Sequence, residues 1–241
     1  MLRPQTSTGK TDLKCQSMLC LCIRKCRRKF SAATRKEEVH MRKKVVKLLV
    51  AVTLIGGVAL GVKISSLLPR KDYVKVTELP SRFMLSDNEN YIQYQSGYDC
   101  AGYAAAYVLR HLGHDVEGVE IFRQMDKVSD GVNLPGVKGL FKQYGYRAKP
   151  LYGTIDTMKM NLVKGQPVIV HTVFIGDSTH YTVVVGYDEE YVYLADSARE
   201  KVNCFDSTTY NRKLTYQEFE RIWKTDSYPM DNVYITVEKM K

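Results

Sequence analysis

Several things that this 241-residue chain lacks remove whole classes of function. It has no glycine-rich loop with the spacing that cradles phosphates, and no His, Cys, Asp or Glu group with the spacing of a metal site. It has no internal repeats. Its hydrophobic content of 44% is ordinary for a folded protein, which excludes a disordered, collagen-like or multi-span membrane chain. Most of the chain also lacks a basic surplus. Residues 48–241 carry 22 Lys/Arg against 23 Asp/Glu, a net charge of −1, so the folding part gains nothing from neutralising phosphates. Nucleic acid is therefore not an expected partner.

The overall charge of +10 comes from the first 47 residues, which hold 14 Lys/Arg against 3 Asp/Glu. This tail is polar and without apolar periodicity. Long apolar runs are scarce, and the one present, LLVAVTLIGGVALGV, follows at 48–62. With Lys63 snorkelling, the run extends to Leu68 and approaches the ~20 residues that a bilayer needs. Arg42, Lys43, Lys44 and Lys47 flank its N-terminal side, which puts the tail in the cytoplasm and the rest outside. Residues 48–68 are accordingly expected to be a transmembrane signal anchor. The alternative is synthesis from Met41, with cleavage near Ala59-Leu60-Gly61 and secretion. Cys15, Cys20, Cys22 and Cys26 lie in the tail without a histidine beside them, and are read as reduced thiols.

Residues 69–87 read as a linker and 88–241 as a folded domain. Helices are expected over 101–112, closed by Gly113, over 117–125, over 137–144, closed by Gly145, and over 155–163, stopped by Gly165 and Pro167. The period then changes to strand-like runs at 167–174, 180–187 and 190–197. Asp188-Glu189 makes a hairpin of the last two. A helix at 214–223 and a strand at 232–238 close the chain. Helices first and antiparallel strands later define an α+β fold.

Cys100 stands just before the alanine-rich helix, where a thiolate feels the helix N-terminus and is favoured by it. His180 opens one strand of the hairpin and Asp196 ends the other, so the hairpin is expected to bring them opposite each other at the same end of the ladder. A thiol, an imidazole and a carboxylate that orients the imidazole form a nucleophilic set. Gln95, five residues before the cysteine, offers an amide to a developing oxyanion beside the Cys100 backbone N–H. Gln93 competes with it for that role. His171 lies inside an apolar strand and reads as packed rather than basic, and His111 and His114 flank a helix end. Cys204 could pair with Cys100 or stay free.

The strings QSGYDCAGYAAAYVLRHLG, GQPVIVHT, HYTVVVGYDEEYVYLADS and LTYQEFERIW resemble the bacteriocin-processing, papain-like cysteine peptidases and their free-standing relatives, over about residues 88–238. The resemblance implies a papain-like fold, with N-terminal helices packed on an antiparallel sheet. It also implies Cys100 as nucleophile, His180 as general base, Asp196 as orienting acid and Gln95 as oxyanion donor. DCAGY is similar to a string of the NlpC-type cell-wall endopeptidases as well. Three readings follow. The first is a membrane-anchored extracytoplasmic cysteine peptidase acting on a peptide or protein. The second is a peptidoglycan-peptide hydrolase, and the third a catalytically silent surface binder of peptides. None needs a cofactor or metal.

Overall fold

The computed structural model describes residues 47, 53, 68–85, 90–129, 131–176, 178–225 and 231–241. The four tail cysteines lie outside the described residues, as does the apolar stretch 48–68 apart from Thr53 and Leu68. The chain divides into two compact units, Met1–Lys63 and Ile64–Lys241. Of the first, only Lys47 and Thr53 are described, both helical and exposed. Among the described residues no helix is long and apolar enough to cross a membrane.

In the second unit the first helix follows two short strands. Helix α1 (Cys100–His111) buries Ala104, Ala105, Ala106, Val108 and Leu109, so its small side chains let the helix settle on the sheet. Gly113, at φ +87°, ends it in the left-handed region that favours glycine. Helix α2 (Gly118–Gln124) crosses α1 closely. A Cβ added at Gly102 would stand 2.5 Å from the Phe122 Cβ and 2.7 Å from the Gly118 carbonyl oxygen, so only glycine permits this approach. Helix α3 (Leu134–Gln143) starts three residues before the expected position. The Asn133 side chain accepts the Gly136 N–H, and Pro135 is tolerated in the first turn. Helix α4 (Ile155–Leu162) opens with a reciprocal cap between Thr154 and Thr157. The later helix α5 (Tyr216–Trp223) opens with one between Thr215 and Glu218.

The strands are β1 (Arg70–Lys71), β2 (Phe83–Met84), β3 (Tyr146–Tyr152), β4 (Val168–Val173), β5 (Thr179–Tyr187), β6 (Tyr191–Ala195), β7 (Arg212–Thr215) and β8 (Val233–Lys239). They form one sheet in the order β1-β3-β8-β4-β5-β6-β7, with β2 paired to β5. All pairings are antiparallel except the short β1–β3 pair. The core lies between the sheet and its helices, around Trp223, Tyr234, Phe141, Phe219, Leu109 and Ile121.

Two features differ from the sequence reading. The stretch 69–87 is not free chain where described, because β1 and β2 pair with the sheet and Asp72 accepts from Asn161 Nδ2 at 2.8 Å and from the Tyr234 hydroxyl. Strands β3 and β7 were not expected. Residues 212–215, partly read as the start of a helix, are strand up to the cap of α5.

Candidate active site

Asp99 is the N-cap of α1 but makes no side-chain cap, since its Oδ1 accepts the Gly97 N–H at 3.1 Å. Cys100 therefore sits half-buried on the first turn, at the positive end of the helix. It is a free thiol, and so is the buried Cys204, so the two do not form a disulfide. The turn lines an open cleft of about 690 Å³ together with Gln95, Tyr98, Phe174, His180, Tyr181 and others.

His180 is 2% exposed and hydrogen-bonds the Asp196 Oδ1 through Nε2 at 2.7 Å. Cys100 lines the same cleft, and its side chain lies near enough to raise the affinity of the His180 ring for a proton. Because Nε2 is taken by the carboxylate, Nδ1 is the atom left for the sulfur. Burial lowers the affinity of His180 for a proton, but the hydrogen bonds and charges of Asp196 and Cys100 outweigh it, and its pKa rises to about 9. Burial likewise pushes the Asp196 carboxyl up. The hydrogen bond and charge of His180, the Arg212 guanidinium and the Ala198 N–H outweigh that and hold it below its ordinary value. Burial, and then the Cys100 charge, raise the neighbouring Tyr181 phenol.

A one-residue irregularity makes the His–Asp pair. Near the turn β5 and β6 pair as Tyr187↔Val192 and Gly186↔Tyr193, but farther on as Val184↔Leu194 and Val183↔Ala195, so Val185 is extra. One step beyond, Asp196 stands opposite Thr182, and alternation puts it on the face of His180. Without the bulge it would stand opposite Val183 and point to the other face. The bulged Val185 carbonyl accepts the Leu85 N–H at 2.9 Å, and Gly186 lets β2 pass. A Cβ there would lie 2.5 Å from the Met84 sulfur and 2.8 Å from the Phe83 carbonyl oxygen.

Asp196 has further partners that the sequence reading missed. Arg212, itself buried, reaches its Oδ2 through Nη1 at 2.8 Å, and the Ala198 N–H donates to Oδ1 at 3.0 Å. The Asn211 Oδ1 accepts the Asp196 N–H and its Nδ2 donates to the Asp196 carbonyl, both at 2.9 Å. The one available signal was the capping box Thr215-x-x-Glu218, which ends the preceding segment at Thr215 and frees 211–214 to be strand.

Gln95 lines the cleft beside Cys100, and its Nε2 donates one N–H to the Gly97 carbonyl at 2.7 Å. Gln93 is engaged elsewhere. Its Oε1 accepts from Arg110 at 3.2 Å and from the Gly118 N–H at 2.8 Å, and its Nε2 donates to Glu117. His171 packs against the Tyr181 ring at 4.9 Å, and burial, with the charge of His180, lowers its pKa to about 4. His111 meets the Gly165 carbonyl and His114 the Tyr146 hydroxyl. Among the described residues no group of three His, Cys, Asp or Glu could hold a metal ion.

The family model of the peptidase C39 family matches residues 88–228, more than half of the chain. The chain belongs to the peptidase C39 family. It is a cysteine peptidase of papain-like fold. An uncharacterized protein of Methanothermobacter thermautotrophicus is 28% identical over 117 residues, which are 48% of this chain and 76% of that one. Among solved structures, a C39-like peptidase from Bacillus anthracis has a TM-score of 0.52 at 21% identity, covering 67% of this chain and 100% of that one. The peptidase domain of Streptococcus ComA, a bi-functional ABC transporter, has a TM-score of 0.49 at 16% identity, covering 64% and 100%.

Proposed function

We propose that this C39 peptidase hydrolyses a peptide bond with Cys100 as nucleophile, His180 as general base and then acid, and Asp196 as the residue that orients the imidazole. The observation that carries the reading is His180, joined to Asp196 at 2.7 Å and lining one open cleft with Cys100. The Cys100 sulfur attacks the carbonyl carbon of a bound peptide. The proton held by His180 goes to the leaving amine, and water then releases the acyl group. The Gln95 N–H not used by Gly97 and the Cys100 backbone N–H receive the oxyanion, each donor being worth about 2.7–4 kcal/mol.

A peptide library digested by the full chain and read by mass spectrometry tests this. Cys100→Ala and His180→Ala are each expected to lower cleavage by more than about 10³-fold. Undiminished cleavage by either variant would overturn the assignment.

We propose further that residues 48–68 anchor the protein, with the peptidase unit outside the cell. The support is the apolar run and its basic N-terminal flank. Intact cells expressing the full chain should lose a C-terminal tag to added protease, and the protein should stay with the membrane in alkaline carbonate. A tag protected until the cells are lysed would refute the orientation.

A further inference from the structure

The segment that ends β6 carries two side chains serving different parts of the cleft. Asp196 turns to His180. Ser197, the next residue and only 6% exposed, turns to the other face, where its hydroxyl donates to the Gln95 Oε1 at 2.7 Å. The two backbones are tied as well, with the Gln95 N–H donating to the Ser197 carbonyl at 2.9 Å. At the other end of the amide, Nε2 donates to the Gly97 carbonyl at 2.7 Å. A carbonyl only accepts, so this bond fixes which end of the amide carries the hydrogens, and the Ser197 hydroxyl must be the donor to Oε1. Without that hydroxyl the amide could rotate, because the terminal torsion of a glutamine is soft.

We infer that Ser197 is a positioning residue for the oxyanion donor, holding the Gln95 amide so that its second N–H is set before substrate arrives. The inference rests on the proposed role of Gln95. Asn211 clamps the Asp196 peptide through both its N–H and its carbonyl. Asp196 and Ser197 are thereby fixed as one unit, and a single dipeptide orients both the imidazole and the oxyanion donor. Preorganised donors of this kind need no reorganisation at the moment of reaction.

Two reagents acting on Cys100 of the full chain, each followed by peptide mass spectrometry, test the inference. p-Nitrophenyl acetate reacts through an oxyanion. The sulfur–carbon bond forms, the carbonyl oxygen takes the charge, p-nitrophenolate leaves and Cys100 retains the acetyl group. Iodoacetamide alkylates the same sulfur by displacing iodide, with no oxyanion, so the ratio of the two rates at one pH isolates the donor. Gln95→Ala is expected to lower that ratio about 100-fold. Ser197→Ala should lower it about 10-fold, and the double variant should fall no further than Gln95→Ala alone. The iodoacetamide rate should stay within about twofold throughout. If Gln95→Ala leaves the ratio unchanged, the role of Gln95 is wrong and the inference falls with it. If Gln95→Ala lowers the ratio but Ser197→Ala does not, or if the two losses add in full, the positioning role alone is wrong. Should Ser197→Ala fail to fold, Ser197→Thr against the isosteric Ser197→Val makes the same comparison, with the ratio retained only when the hydroxyl is present.

Discussion

His180 and Asp196 are buried among charged and backbone partners, whereas Cys100, Gln95 and Tyr98 face the cleft from a half-open rim. On the sheet side Asp196 is held by His180, Arg212 and the Ala198 N–H, and its peptide by Asn211. On the helix side the Asp99 carboxylate folds back to the Gly97 N–H and leaves the first turn of α1 uncapped by it. The difference divides the work. Charges in a dry, fully paired setting hold their geometry strongly, while the nucleophile must stay open to a peptide. On the proposed roles, rigidity belongs to the base and access to the nucleophile.

The contrast can be broken most severely at Asp196. Asp196→Asn leaves one acceptor oxygen for the donors of His180, Ala198 and Arg212 and turns the other into a donor, and kcat/KM on a cleaved library peptide is expected to fall about 10⁴-fold. Next comes Arg212→Leu, which leaves the buried Asp196 Oδ2 without its guanidinium. Urea unfolding should show a loss of about 3–5 kcal/mol, and a loss below about 1 kcal/mol would mean that the sheet side is no more constrained than the rim. Gly186→Ala forces β2 off the bulge and should cost about 1–3 kcal/mol by the same measurement, with activity falling as the His180–Asp196 register loosens.

The pH dependence sharpens the contrast further. The folded pKa of His180, about 9, stands above its ordinary 6.5. Its contribution to stability is therefore complete below about pH 6.5 and is lost as pH rises through about 9. Thermal melts from pH 6 to 10 should show the wild type losing ground to His180→Gln across that window, and parallel curves would refute the buried ion pair. The smallest effect is expected at the rim. Tyr98 is 74% exposed, and Tyr98→Ala should change unfolding stability by no more than about 0.5 kcal/mol.

The elements that announced themselves in the sequence are those with local signals. Gly113, Gly145 and Gly165 mark the ends of α1, α3 and α4, and each has a positive φ. The β-branched runs of β4, β5 and β6 lie within a residue or two of their expected positions. Strand β3 escaped because YRAKPLY does not alternate and contains Pro150, which argues against a strand in the sequence. In the fold it lies near the sheet edge, flanked by β1 only at Leu151 and Tyr152, and its identity comes from seven pairs with β8. Strand β7 escaped because a residue facing the interior there is Arg212, whose burial makes sense only once Asp196 is opposite.

By itself the sequence determined to within one residue where α1 begins, with a cysteine beside that start. It also determined that a hairpin would carry a histidine and an aspartate to one end, with a glutamine ahead of the cysteine. These are properties of short stretches, legible from turn chemistry and period. Only the tertiary structure decided that His180 and Asp196 share a face, because that depends on one extra residue at Val185, stabilised by a strand from more than ninety residues earlier. It alone decided that Arg212 and Asn211 hold Asp196, and that Gln95 rather than Gln93 reaches the cleft. Both outcomes turn on the competition among distant partners for each polar side chain, and no local pattern encodes that competition.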